Sequence, residues 1–292
     1  MKWNCYLHSF NSAYNFSYSM PKAWKITTVC FSIWLLLLFV LSLLWYKQGF
    51  KGYFSFFDDS LEWLQMDKVG HFFAAFHVSR WFIQVLIWQK VVESEAQKVG
   101  VWGGVIFVSP IELLDGFSID YGFSWADILA NCVGAGFLWF QLKFLKALRF
   151  MPKFSFMPSH FAATRKEMLG SFFLAQLIKD YNGQTYWMSF SPNVFLKRKL
   201  FPEWLHISIG YGAENLLGGH DNVWENEGKI FDFSDMERMR QLYLSLDLNL
   251  QHLQFSHPVA RFFRLTFSCL KFPFPAVGYN IGKGFDVKWL GI

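Results

Sequence analysis

Three short segments hold most of the side chains whose types and spacing suit chemistry. DKVGHF carries Asp67, Lys68 and His71, ELLDG carries Glu112 and Asp115, and SWADILAN carries Ser124, Asp127 and Asn131. Asp67 and His71 are four apart, as are Asp127 and Asn131, and Glu112 and Asp115 are three apart, so on helices each pair shares a face. Carboxylates suit hard divalent metals, and an imidazole adds a preference for zinc or iron. The same set can hold a lipid head group, with Lys68 meeting a phosphate and a carboxylate or His71 moving a proton. A structural reading is equally open: Lys68 pairs with Asp115 or Asp127, while His71, Ser124 and Asn131 hydrogen-bond between helices and lock them together.

Apolar stretches must position these segments. Residues 26–46 carry no charge and exceed the roughly 20 residues that cross a bilayer. Residues 71–92, 99–114 and 125–142 are also apolar, although polar residues interrupt them. Gly100 and Gly104, and Ala126, Ala130 and Gly134, repeat at a spacing that lets membrane helices approach closely. These features predict an N-terminal segment, residues 1–23, and a four-helix membrane domain, residues 24–148. Loop charge puts the three polar segments on the same, non-cytoplasmic side.

Composition agrees with that expectation. Of 292 residues, 53% are hydrophobic and only 17% charged, below the roughly 25% usual for soluble domains. A net charge of +5, spread along the chain, argues against nucleic acid as a partner. Cys5, Cys30, Cys132 and Cys269 have no metal-binding spacing and read as buried free thiols. No nucleotide loop, HExxH or GxSxG is present, and no nucleophile with a matched base can be named, so enzymatic activity is left open.

Beyond Lys153 the pattern changes to a predicted α+β part, residues 154–292. Residues 159–179 have a helical repeat, and residues 186–190, 204–211, 242–250 and 285–290 have the period of strands. Leu242, Leu244, Leu246, Leu248 and Leu250 alternate with polar residues, giving that strand one apolar and one polar face. Four or five strands fall short of the roughly eight of a membrane barrel, so a small antiparallel sheet is expected. Residues 258–272 mix bases with phenylalanines, as a helix in a membrane interface or one covering the sheet would. Residues 223–237 read as an acidic solvated loop, and GYGAENLLGG as a sheet turn.

DKVGHF followed by ELLDGFSIDYGFSWADILANCVGA resembles the YfiM-like bacterial domain of unknown function, usually described as a predicted periplasmic lipoprotein. More distantly, the order of these segments is similar to the VanZ-like membrane proteins linked to glycopeptide resistance. FFDDSLEWLQMDKVGH, KDYNGQTYWMSF, WLHISIGYGAENLLGG and RQLYLSLDLNL resemble a longer version of the family found in Bacteroidetes. The resemblance implies shared polar positions at Asp67, Lys68, His71, Glu112, Asp115, Ser124, Asp127 and Asn131, and carries no activity with it. The combined expectation is an integral membrane protein of the bacterial cell envelope. The inner membrane is favoured over the periplasmic face or the outer membrane, and a polar intramembrane site would take a lipid head group or a divalent metal. The alternative is a non-catalytic membrane scaffold that binds another envelope protein through its C-terminal sheet.

Overall fold

A computed structural model describes residues 20–46, 49–196 and 198–290. Most of the expected N-terminal segment, with Cys5, lies outside the described residues, as does the side chain of Cys30. The chain divides into two compact units. One comprises the chain up to Phe57 with Ala75–Ser124 and Asn131–Leu148, and the other comprises Asp58–Ala74, Trp125–Ala130 and Arg149–Ile292.

The first unit is helical. It holds α1 (Met20–Trp45), the later turns of α2 (Met66–Trp88), α3 (Glu93–Val108), α4 (Pro110–Phe117) and the later turns of α5 (Trp125–Phe140). Pro110 stands at the start of α4, where its missing N–H costs no helical hydrogen bond. A Cβ on Gly104 would lie 2.0 Å from Ser79 Oγ, so only glycine permits the approach in which Ser79 Oγ donates to the Val101 carbonyl at 3.1 Å.

The expected fold, a mostly α membrane bundle of four apolar helices followed by a small α+β part, is corrected here. Among the described residues, two helical stretches, Glu93–Phe117 and Trp125–Leu145, are long and apolar enough to cross a membrane, by length and composition alone. The apolar stretch of α1, Phe31–Leu43, is shorter. α2 carries Asp67, Lys68, His71, His77 and Arg80, too many polar groups for a spanning helix. The architecture is mixed α/β, with an antiparallel sheet as its largest element. The thiols also differ from expectation, since Cys132 is exposed and Cys269 half-buried.

The second unit is built on a six-stranded sheet. Its strands are β1 (Phe150–Phe156), β2 (Gln184–Phe190), β3 (Leu205–Glu214), β6 (Met239–Leu248), β7 (Ala276–Asn280) and β8 (Gly284–Lys288), adjacent in that order and antiparallel throughout. β4 (Val223–Asn226) and β5 (Lys229–Asp232) form a separate hairpin where a loop was expected, held by Trp224 stacked on Phe231 at 5.2 Å. Residues 159–179 fold as three short helices, α6 (Phe161–Thr164), α7 (Lys166–Leu169) and α8 (Phe173–Lys179), and α9 (Pro258–Phe267) links β6 to β7. Gly210 and Gly212 prove to be strand positions: a Cβ at Gly210 would lie 2.6 Å from the Trp187 ring.

Candidate functional site

The first turns of α2 and α5 belong to the second unit, and their placement begins with an unusual backbone. Trp63, Leu64 and Gln65 all have positive φ, at 50°, 49° and 64°. Side chains make this conformation costly, at about 1–3 kcal/mol per residue, so it persists only where neighbours over-determine it. Here they do. Arg240 Nη1 donates to the Leu64 carbonyl at 3.0 Å and Nη2 to Gln65 Oε1 at 2.6 Å, Tyr211 OH also donates to the Leu64 carbonyl, and the Trp63 N–H donates to Gly219 O at 2.8 Å. Met66, packed with Ala213 and Leu216, then fixes the start of α2. Gly70 completes the fit, because a Cβ there would lie 2.9 Å from the Tyr186 hydroxyl.

The strained turn leads directly into a compact polar cluster. Lys68 Nζ lies 2.7 Å from Asp59 Oδ2, 2.9 Å from Asp67 Oδ2 and 2.6 Å from Asp127 Oδ1. His71 Nε2 stands 3.7 Å from both Asp67 Oδ1 and Asp127 Oδ1. Tyr181 OH donates to Asp67 Oδ1 at 2.7 Å. One ligand atom each from Asp67, His71 and Asp127 falls within 4.8 Å of the others, a spacing that admits a metal ion.

Three carboxylates around one ammonium set the electrostatics. The Asp127 carboxyl is only 5% exposed, and burial together with the charge of Asp67 raises its pKa well above the carboxylate range. For Asp67 burial acts upward as well, but His71, Lys68 and the Tyr181 hydroxyl outweigh it and hold the carboxyl below its ordinary value. Burial opposes the Lys68 charge too, yet Asp67 and Asp127 overcome it and raise the ammonium pKa. Burial and then Asp67 keep the Tyr181 phenol protonated. The pair of carboxyls is thus split into one that readily ionises and one that resists ionisation, as at acid–base and metal centres.

Four of the eight sequence candidates, Asp67, Lys68, His71 and Asp127, converge here. Glu112, Asp115, Ser124 and Asn131 fall in the helical unit, where Glu112, Ser124 and Asn131 are buried and Asp115 accepts a hydrogen bond from Tyr46. Of the two pairings expected for Lys68, the one with Asp127 forms, at the head of α5. Sequence reasoning missed Asp59 and Tyr181. Asp59 lies in FFDDSLEW and Tyr181 in KDYNG, within two of the stretches that carry the resemblance to a longer version of the family, and that was the available signal.

Comparison with known proteins adds one finding. Residues 53–143 match the predicted periplasmic lipoprotein family DUF2279. That span, about a third of the chain, contains all eight sequence candidates. No curated protein and no solved structure matches. The match supports a periplasmic family of unknown function and places the chain in the bacterial cell envelope.

It also overturns the expected function. A family described as periplasmic lipoprotein conflicts with an integral membrane protein, and only two helices have spanning length and composition among the described residues. The intramembrane site and the membrane scaffold are therefore both withdrawn.

Proposed function

We propose that this envelope protein binds a divalent metal ion on the periplasmic side, through Asp67, His71 and Asp127. The observation that carries the reading is the convergence of two carboxylates and one imidazole within 4.8 Å at the end of a strained turn. Two oxygens and one nitrogen suit manganese, iron or zinc better than calcium, which prefers an all-oxygen shell. Lys68 is the internal countercharge. Its ammonium neutralises the acids until a metal ion displaces it from Asp127, and Asp59 keeps it paired afterwards. Tyr181 orients Asp67 as an outer-shell donor, the role that hydrogen-bonded groups play around metal-binding carboxylates. The quoted sequence segments favour the YfiM-like branch as the finer family placement.

The ion-pair lock is the competing role for the same residues, favoured by the short contacts of Lys68. Titration of the full chain with Mn²⁺ and Zn²⁺ by calorimetry separates the two. Metal binding predicts one site per chain, lost in Asp127→Asn and His71→Ala with folding retained. A folded wild type that binds neither ion would leave the lock.

A further inference from the structure

The six-stranded sheet is inverted with respect to water. In an antiparallel sheet with one solvated face, the apolar face packs on the core and the polar face meets water. Here the buried face carries Lys153, Ser189, His206, Ser208, Ser245 and Asp247. These groups satisfy one another: Lys153 Nζ lies 2.7 Å from Asp247 Oδ2, Ser208 Oγ donates to the same oxygen at 3.0 Å, and Ser189 Oγ is 3.1 Å from His206 Nδ1. The chain after α9 contributes to this buried side, since Lys271, itself buried, donates to Ser245 Oγ at 3.1 Å and to the Leu246 carbonyl at 2.7 Å.

On the opposite face the strained turn and the start of α2 cover Tyr186, Tyr211 and Arg240, and the rest is bare and apolar. Ile209, Leu242, Leu244, Leu246, Val277 and Val287 are all exposed. Strand register makes them neighbours: Ile209 pairs with Leu244, Leu244 with Val277, and Val277 with Val287, a row across four strands. Scattered exposed apolar residues are ordinary, but a contiguous patch of this kind marks an interaction surface. Alternation with the polar residues inside and the apolar residues outside is the pattern of sheets whose outer solvent is lipid.

Charge identifies the kind of surface. Residues 251–292 carry five Lys and Arg against one acid; Lys271 is turned inward, Arg261, Arg264 and Lys288 are half-buried and Lys283 is exposed. Within them α9 exposes Phe262, Phe263 and Phe267 beside the half-buried Arg261 and Arg264, the latter donating to the Leu253 carbonyl, and Phe285 and Trp289 are 82% and 79% exposed. Aromatic rings and bases together suit the head-group level of an anionic bilayer.

We propose that the bare part of this sheet face docks on an anionic membrane surface, its leucines and valines against the acyl chains. The inference is independent of the metal reading. It concerns a surface-seated sheet, not a spanning one.

The test places a benzophenone side chain at Leu244 and, in a second variant, at Val277. A third variant carries it at Glu225, an exposed position on the separate hairpin. Each full-length chain is bound to vesicles of phosphatidylethanolamine and phosphatidylglycerol, irradiated, and read by mass spectrometry. The expected result is a phospholipid adduct at Leu244 and Val277 at least tenfold above that at Glu225, falling severalfold with neutral phosphatidylcholine vesicles. A covalent dimer as the main product would assign the face to a second copy and overturn the proposal. Adducts no higher than at Glu225 would overturn it too, and equal yields on neutral lipid would overturn its electrostatic part.

Discussion

Lys68→Met keeps the length of the side chain and removes the ammonium that three carboxylates share. Asp127, Asp59 and Asp67 are only 5%, 15% and 23% exposed, so water compensates little. Breaking a buried ion pair by deleting one partner costs about 3–5 kcal/mol. Two like charges about 5 Å apart at an effective dielectric of about 20 repel by about 3 kcal/mol. Because Asp127 can relieve part of this by holding a proton, the lower figure applies, and a loss of about 3 kcal/mol corresponds to a drop in Tm of roughly 6–12 °C. A divalent ion at a hundred times its Kd should return about 2.7 kcal/mol, since it replaces the missing charge. The assay is thermal unfolding of wild type and Lys68→Met with and without Mn²⁺ or Zn²⁺. Tighter metal binding and near-complete rescue in the variant are expected. A destabilised variant that metal does not rescue would refute metal binding in favour of the ion-pair lock, and an unaffected variant would refute the central role of Lys68.

Other outcomes follow from the same geometry. Lys153→Met leaves the fully buried Asp247 without its 2.7 Å partner and should cost about 3–5 kcal/mol in urea unfolding, most of it recovered by adding Asp247→Leu. Burial, reinforced by Lys153, lowers the pKa of His206 to about 4. The unfolded chain therefore takes up a proton near the ordinary value of about 6.5 that the folded chain refuses, and stability falls as pH drops from 6.5 to 4, by up to about 3 kcal/mol. His206→Gln should flatten that part of the pH–stability curve, and an unchanged curve would show that the imidazole is not the group responsible. Arg240→Ala removes the hydrogen bonds to Leu64, Gln65 and Tyr211 and should weaken metal binding by tenfold or more while the circular dichroism of the sheet persists. Unchanged affinity would mean that the left-handed turn does not position the site.

Helix-face spacing made part of the cluster legible in the sequence. Asp67, Lys68 and His71 share the first turns of α2, and Asp127 heads α5. Asp59 could not be placed from spacing, because it reaches Lys68 through a turn whose left-handed residues, Trp63 to Gln65, carry no glycine to announce them. Tyr181 comes from 114 residues away and could not be paired with Asp67 without the fold. In the sheet, period-two runs located most of β2, β3 and β6, but alternation reveals two faces without saying which is inside. Leu242, Leu244 and Leu246, on the apolar face of β6, are exposed, because Asp247 and Ser245 find partners on the opposite side. β1 was hidden by Pro152, which is tolerated on an edge strand, and the β4–β5 hairpin by its acidic composition. The four apolar stretches were real as hydropathy, yet the polar groups along α2, of which Asp67, Lys68 and His71 serve the site, make that helix unsuited to spanning.

X-ray absorption at the zinc edge, on full-length protein loaded with one equivalent of zinc, tests the metal site most directly. A shell of oxygen and nitrogen at about 2.0–2.2 Å with the signature of one imidazole is expected, and that signature should vanish in His71→Ala. A spectrum unchanged by His71→Ala, or a folded wild type that retains no zinc, would contradict the assignment of Asp67, His71 and Asp127 as ligands.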